Sequence, residues 1–168
     1  MTPTVHAGAV ALGEWGVLIR GAAGAGKSAL ARALVGDWQA RGTFAAIVAD
    51  DRTALAVVHR RLIARPPSVL AGRMEVRGVG IVAVGTLSAV RINLVVDLED
   101  TPERLPAAAD RVARFDGLFV PRIVCRSRSA EHNAATLAWL LRSGTLTPQV
   151  AAAQRIPSDL PTIEGEMR

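Results

Sequence analysis

The chain is 168 residues long, with 20 Lys+Arg against 15 Asp+Glu (formal net charge +5), and aromatic residues make up 4%. Half of it is apolar and 21% is charged, which excludes a disordered chain, and the length fits one domain with a real core. No apolar run reaches the roughly 20 residues of a membrane helix, the single cysteine excludes a disulfide framework or a Cys-rich zinc site, and the start, Met1-Thr-Pro-Thr-Val-His6, has no signal-peptide character, so a cytoplasmic enzyme or binding domain is expected.

Nineteen of the 20 cations are arginine and only one, Lys27, is lysine. The arginines are scattered along the sequence, with no long basic block and no aromatic platform beside them, so nucleic acid is not an expected partner.

In chain order, Val5 to Leu12 is an apolar strand containing His6, Gly13-Glu14 a turn, and Trp15 to Ile19 a buried strand. Gly21 to Gly26 is a glycine-alanine loop. Ser28 to Gln39 repeats apolar residues at helical spacing and is closed by Gly42. Ala45 to Ala49 is a second buried strand that stops at Asp50-Asp51. Thr53–Val58 and Arg61–Ala64 predict a short antiparallel hairpin ended by Pro66-Pro67. Met74 to Val84 predicts a turn leading into a strand, and Val90 to Leu98 a further strand. Thr101-Pro102-Glu103 has the form of a helix start, with partial helix to Arg114. Gly117 to Cys125 predicts a strand in which Pro121 suggests an edge position. Ala130 to Arg142 predicts the last helix, ended by Gly144, and the proline-bearing tail 147–168 reads as loose. The pattern is an α/β domain over 1–146 with strands outnumbering helices, hence a mixed sheet.

Gly21-Ala22-Ala23-Gly24-Ala25-Gly26-Lys27-Ser28 fits G-x-x-x-x-G-K-[ST] at every fixed position, between a predicted strand and a predicted helix. Small residues let successive backbone N–H groups turn inward around an anion, and the following helix offers its free N–H groups and positive dipole end. Lys27 then reaches the β- and γ-phosphates as a point charge, and the Ser28 hydroxyl is a candidate Mg²⁺ ligand. In a chain that otherwise uses arginine for every cation, the one compact ammonium falls in this loop.

Asp50-Asp51 closes a strand expected to lie beside the P-loop strand, with its carboxyl end opening onto the phosphates. An Asp there can hold Mg²⁺, orient water or accept a hydroxyl proton; the alternative is a pair of turn formers. His6, read from spacing alone, is more often a packed core residue than a catalytic one. Glu75-Val-Arg77-Gly78-Val-Gly80 puts an acid and a guanidinium on one face of extended chain before two glycines that allow close backbone approach. That suits a metal-facing carboxylate beside a phosphate-facing arginine, or a surface ion pair before a turn.

In this order and spacing the sequence resembles the C-terminal catalytic domain of the bacterial HPr kinase/phosphorylase family. The likeness runs over roughly residues 5 to 125. It rests on His6-Ala-Gly-Ala, Gly-Val-Leu-Ile19, the P-loop, Val48-Ala-Asp50-Asp51, Ala64-Arg-Pro-Pro67, Met74-Glu-Val-Arg-Gly-Val-Gly-Ile-Val82, Ile92-Asn-Leu94 and Asp110-Arg111-Val112. The resemblance implies a P-loop mixed-sheet kinase domain using ATP and Mg²⁺ to phosphorylate a serine of the phosphocarrier HPr, with phosphorolysis of that phosphoserine as the reverse reaction. It also implies a homo-oligomer, a hexamer in the family, and no membrane partner. By the same resemblance His6 sits beside the phosphate site, Lys27 binds phosphate, and Ser28 and Glu75 bind Mg²⁺. The aspartate pair supplies the base, Asp51 rather than Asp50, and Arg77 and Arg111 neutralise transferred charge.

Two departures stand out. The chain begins where the catalytic domain of the family begins, which implies a short form without the N-terminal domain of longer members. The family's basic loop, Arg-Pro-Gly-Arg-Asn, is here Arg126-Ser-Arg128-Ser-Ala-Glu-His132-Asn133; that loop is tied to phosphorolysis, so kinase activity is the firmer expectation. The alternatives are a kinase of the same fold acting on another protein or small molecule, and an ATP-sensing module that transfers nothing.

Overall fold

The computed structural model describes residues 4–67, 73–76, 78–83 and 87–146, with the backbone alone for 73–76 and 83. The expected tail, 147–168, lies outside the described residues. Among the described residues, twelve strands and two α-helices make three layers. The strands are β1 (Thr4–Val5), β2 (Ala7–Leu12), β3 (Trp15–Gly21), β4 (Ala45–Ala49), β5 (Thr53–Val58), β6 (Arg61–Arg65), β7 (Arg73–Val76), β8 (Gly80–Ala83), β9 (Val90–Ile92), β10 (Leu94–Glu99), β11 (Val112–Phe115) and β12 (Leu118–Arg126), and the helices are α1 (Lys27–Ala40) and α2 (Ala130–Arg142). The central sheet runs β11-β12-β10-β3-β2-β4; a smaller one runs β1-β5-β6-β9; β7 and β8 form a separate hairpin. The central sheet is mixed: β3, β10 and β12 are parallel, while β2 is antiparallel to both β3 and β4.

Strict alternation divides the core in two. Val10, Leu12, Val17, Ile19, Leu94 and Val96 face one way and meet Leu30, Leu34 and Trp38 of α1 and Leu137 and Leu141 of α2. Ala7, Ala9, Ala11, Leu18 and Val95, from the same strands, face the other way and pack on Leu62, Ala64 and Ile92 of the small sheet. The alanines of β2 keep the second interface thin, and burial on both faces explains why these strands read as unbroken apolar runs.

The structure corrects several expectations. Val5 to Leu12 is two strands broken at the exposed His6, where the chain passes from the small sheet to the central one. Val90 to Leu98 is also two strands, split at the buried Asn93, where the chain passes from the small sheet to the central one. Asn93 accepts from the Gly16 N–H at its Oδ1 (2.9 Å), donates its own N–H to the Gly16 carbonyl (2.9 Å) and reaches the Glu14 carbonyl through Nδ2 (3.2 Å). The helix expected from Thr101 does not form. Pro102 and Pro106 each lack an N–H, and between them and β11 there is only a 3₁₀ turn, Ala108–Arg111. Pro121 is not on an edge strand: it sits where β12 changes partner, residues 118–121 pairing with β11 and 122–126 with β10. Met74 to Val84 contains a hairpin, not a turn and one strand. Its glycines take φ of 82° at Gly78 and 104° at Gly80, and among the described residues nothing lies within 4 Å of a Cβ built on either.

Candidate active site

Strand β4 is not beside the P-loop strand; β2 lies between them. Because β2 runs opposite to both neighbours, its first residues share an edge of the sheet with the last residues of β3 and β4. His6, the P-loop and Asp50-Asp51 therefore meet at one place, around a cleft of about 480 Å³ lined also by Ala29 and Arg32.

The loop residues Gly24 and Gly26 take φ of 74° and 100°, a left-handed conformation that glycine adopts without strain. Gly26 is the N-cap of α1 and provides no side-chain cap. The first helical bond runs from the Leu30 N–H to the Gly26 carbonyl (2.9 Å), leaving the preceding N–H groups and the positive helix end directed at the cleft. The loop's chemistry fits an oxyanion.

Lys27 is buried and donates to the carbonyls of Gly21 (2.9 Å) and Ala22 (3.0 Å). Burial pushes its pKa down from the ordinary lysine value, and the charges of Asp51 and then Asp50 oppose that shift. The two aspartates thus have distinct neighbours. The Ser28 hydroxyl donates to Asp50 Oδ1 at 2.7 Å, while Asp51 Oδ1 lies 2.8 Å from His6 Nε2. Asp51 has a left-handed backbone, φ 62°, which Asp tolerates better than most residues and which turns its carboxylate away from that of Asp50. A hydroxyl and a carboxylate side by side suit a hydrated divalent cation bound mainly through phosphates. Among the described residues no three His, Cys, Asp or Glu side chains form a metal cluster.

The segment after β12 packs onto the loop. The Arg128 N–H donates to the Ala25 carbonyl (2.8 Å), the Arg128 guanidinium reaches Asp100 (3.3 Å), the Ser127 hydroxyl also bonds Asp100, and buried Asn133 donates to the Arg126 carbonyl (2.7 Å). Arg126-to-Asn133 is thus a structured wall beside the phosphate cradle.

Arg111 is not brought into this cleft. It donates to the Pro106 carbonyl (3.1 Å) and lines a second cleft of about 550 Å³ with Glu99, Glu103, Arg104 and Arg122. Arg77 and the side chain of Glu75 lie outside the described residues. Sequence reasoning missed Arg32, although its place four residues after Ser28 puts both on one helix face. It also missed Asp97, a buried acid among the apolar residues of β10. Arg20 grips Asp97 with two bonds of 2.7 Å and Arg122 adds a third contact. Burial raises the Asp97 pKa, but the two guanidiniums outweigh it and hold the carboxyl below its ordinary value.

Fold and site together define a mixed-sheet α/β domain with a strand–loop–helix oxyanion cradle. The chain belongs to the HPr Serine kinase C-terminal domain family, whose model matches residues 1–117. It is 34% identical over 132 residues to the HPr kinase/phosphorylase of Limosilactobacillus reuteri, a match covering 71% of this chain and 39% of that protein. It is 35% identical over 106 residues to that of Clostridium acetobutylicum, covering 59% and 33%. Among solved structures it resembles the Hpr(Ser) kinase/phosphatase from Coxiella burnetii, with a TM-score of 0.68, 28% identity, and coverage of 85% of this chain and 98% of that one. The chain thus spans well under half the length of these curated relatives. Among the described residues no helix is long and apolar enough to cross a membrane.

Proposed function

We propose that this chain is an Mg·ATP-dependent kinase that phosphorylates a serine of an HPr-type phosphocarrier protein in the cytoplasm, and that it runs the reverse phosphorolysis less readily. The observation that carries the reading is the division of labour between adjacent aspartates on one phosphate cleft: Asp50 on the Ser28 hydroxyl, Asp51 on His6.

In the forward reaction the loop N–H groups and Lys27 hold the β- and γ-phosphates, with Lys27 exchanging its carbonyl partners for phosphate oxygens. Ser28, Asp50 and, from the family signature, Glu75 would hold an Mg²⁺, which would supply positive charge to offset that developing on the phosphate oxygens. Asp51 accepts the proton of the acceptor serine as its oxygen bonds to the γ-phosphorus and the bond to the ADP oxygen breaks. His6 orients Asp51. In phosphorolysis an oxygen of inorganic phosphate bonds to the phosphoserine phosphorus, the serine O–P bond breaks as Asp51 gives its proton to the serine oxygen, and pyrophosphate leaves. Arg77 is assigned to the transferred phosphoryl by family membership; Arg111 would serve it from the neighbouring cleft. The family also supports assembly as a homo-oligomer. The departure from the family's basic loop at 126–133 supports a second reading, in which the same chemistry acts on a different protein acceptor.

The test is incubation with HPr and γ-labelled ATP. Label on an HPr serine is expected; none, with ATP bound normally, refutes the acceptor. Lys27→Ala should abolish transfer. Asp51→Asn should lower kcat by about 10²–10⁴-fold while nucleotide binding is kept, and Asp50→Asn should instead raise the Mg²⁺ concentration required.

A further inference from the structure

The strand order gives the phosphate cradle two unlike ends. In the central sheet β3 leads into the P-loop, β2 and β4 lie on one side of it, and β10 and β12 on the other. His6 precedes β2 and Asp51 follows β4, so the bonded His6–Asp51 pair stands on the β4 side. A phosphoryl group passing to a serine held by Asp51 is at that end of the cradle. The nucleoside, at the other end of a triphosphate, then leaves toward β10 and β12, where the segment after β12 stands beside the loop.

That segment meets the cradle at Arg128. Its N–H donates to the Ala25 carbonyl (2.8 Å), and a Cβ built on Gly26 would lie 3.6 Å from the Arg128 Cα and nitrogen. Arg128 holds φ 55°, a left-handed conformation that suits glycine and not a long side chain. Counted from Arg126, it stands where the family's Arg-Pro-Gly-Arg-Asn loop has its glycine. The chain thus accepts strain that glycine would avoid and keeps a side chain there. The guanidinium lies 3.3 Å from Asp100 Oδ1, just beyond the end of β10, and the Ser127 hydroxyl bonds the same oxygen.

The side chains of Arg128 and Asp100 are 68% and 71% exposed. So open an ion pair contributes little to stability; it steadies the guanidinium and leaves its face uncovered. A planar guanidinium stacks on heteroaromatic rings, and stacking serves any base because every base has such a face. Resting on the assignment of Asp51 as the proton acceptor, which orients the triphosphate, we propose that Arg128, steadied by Asp100, is the nucleoside subsite of the P-loop cleft and stacks its guanidinium on the base. The cleft is thereby built for a nucleotide and not for an inorganic polyphosphate.

The test is calorimetric titration of the full chain, with Mg²⁺ and no acceptor protein, by a non-hydrolysable ATP analogue and by inorganic tripolyphosphate. The analogue should bind about tenfold or more tighter than tripolyphosphate, the size of effect that stacking one base gives. Arg128→Asn, which tolerates the left-handed turn, should remove most of that margin. It should leave tripolyphosphate binding within about twofold, because a solvent-exposed charge acts weakly at a distance, and that retained binding shows the cradle to be folded. Arg128→Lys keeps the charge and loses the plane, and should weaken the analogue nearly as much. Equal affinity for the two ligands in the wild type, equal losses for both in Arg128→Asn, or full affinity for the analogue in either variant would overturn the proposal. Because no acceptor is present, unlabelled HPr alongside the expected pattern refutes the acceptor and keeps the subsite; labelled HPr without that pattern does the reverse.

Discussion

Gly16 and Gly36 make a matched pair for testing how the two sheets are joined. A Cβ on Gly16 would lie 1.9 Å from the Arg91 carbonyl oxygen, 2.8 Å from its carbon and 2.9 Å from Val90 Cγ2. Two of those atoms are backbone, so the crossing segment must move by more than an ångström. That movement breaks the reciprocal Gly16–Asn93 bonds in a buried setting. Overpacking costs about 1–3 kcal/mol, and two disrupted buried hydrogen bonds add about 1 kcal/mol each. Gly16→Ala should therefore cost about 3–5 kcal/mol, a large part of the roughly 5–15 kcal/mol available to such a domain. At about 2–4 °C per kcal/mol the melting temperature falls by at least about 6 °C. Gly36 is exposed in the middle of α1, and a Cβ there meets nothing within 4 Å; the same substitution should stabilise by about 0.5–1 kcal/mol through helix propensity. Urea and thermal unfolding of both variants give the answer. A Gly16→Ala protein that melts with the wild type would refute the claim that Asn93 locks the sheets together.

Asp97 predicts an acid-sensitive joint. Its folded pKa is depressed by Arg20 and Arg122, so its stabilisation is present above the unfolded value of about 3.9 and is lost as pH falls through the lower folded value. Asp97→Asn should cost about 2–3 kcal/mol at pH 7, less than a fully buried pair because Arg20 is 35% exposed, and should flatten the stability profile below pH 4; an unchanged acid slope would count against it. Burial pushes the Cys125 thiol up to about 11, so a thiol reagent at pH 8 should label it only after denaturation, and fast labelling of the native protein would contradict that. His6→Ala should lower kcat by less than Asp51→Asn with the KM for ATP unchanged, and a raised KM alone would make His6 a binding residue.

The cradle was legible because its information is local: strand, glycine loop, lysine and helix occupy consecutive positions, and each step has its own physical signal. The pairings across the cleft were not. His6 and Asp51 are 45 residues apart, Ser28 and Asp50 are 22, and what joins them is the insertion of antiparallel β2 between β3 and β4. No residue pattern announces that strand order. The split at Asn93 was hidden because both halves are apolar and only one amide between them is shared with Gly16. Where Arg111 lies was hidden for a different reason: the residues leading to it make a 3₁₀ turn where a longer helix was expected, and Arg111 lines the neighbouring cleft.

The backbone at Asp51 gives the neighbouring carboxylates separate tasks. Consecutive residues on a continuing strand would point to opposite faces, and only one would reach the cleft. Here β4 stops at Ala49, and the left-handed turn at Asp51 lets both aspartates stay beside Lys27 with different partners. The choice of variant follows from this. Asn tolerates φ near 60° as well as Asp does, so Asp51→Asn removes the charge and leaves the turn. Ala would add backbone strain, and Gly would loosen the turn. Lost transfer in Asp51→Asn with an unchanged melting temperature would therefore report on the proton acceptor alone. The same loss in Asp51→Gly, restored at Asn, would show instead that the turn and not the carboxylate is what the reaction needs.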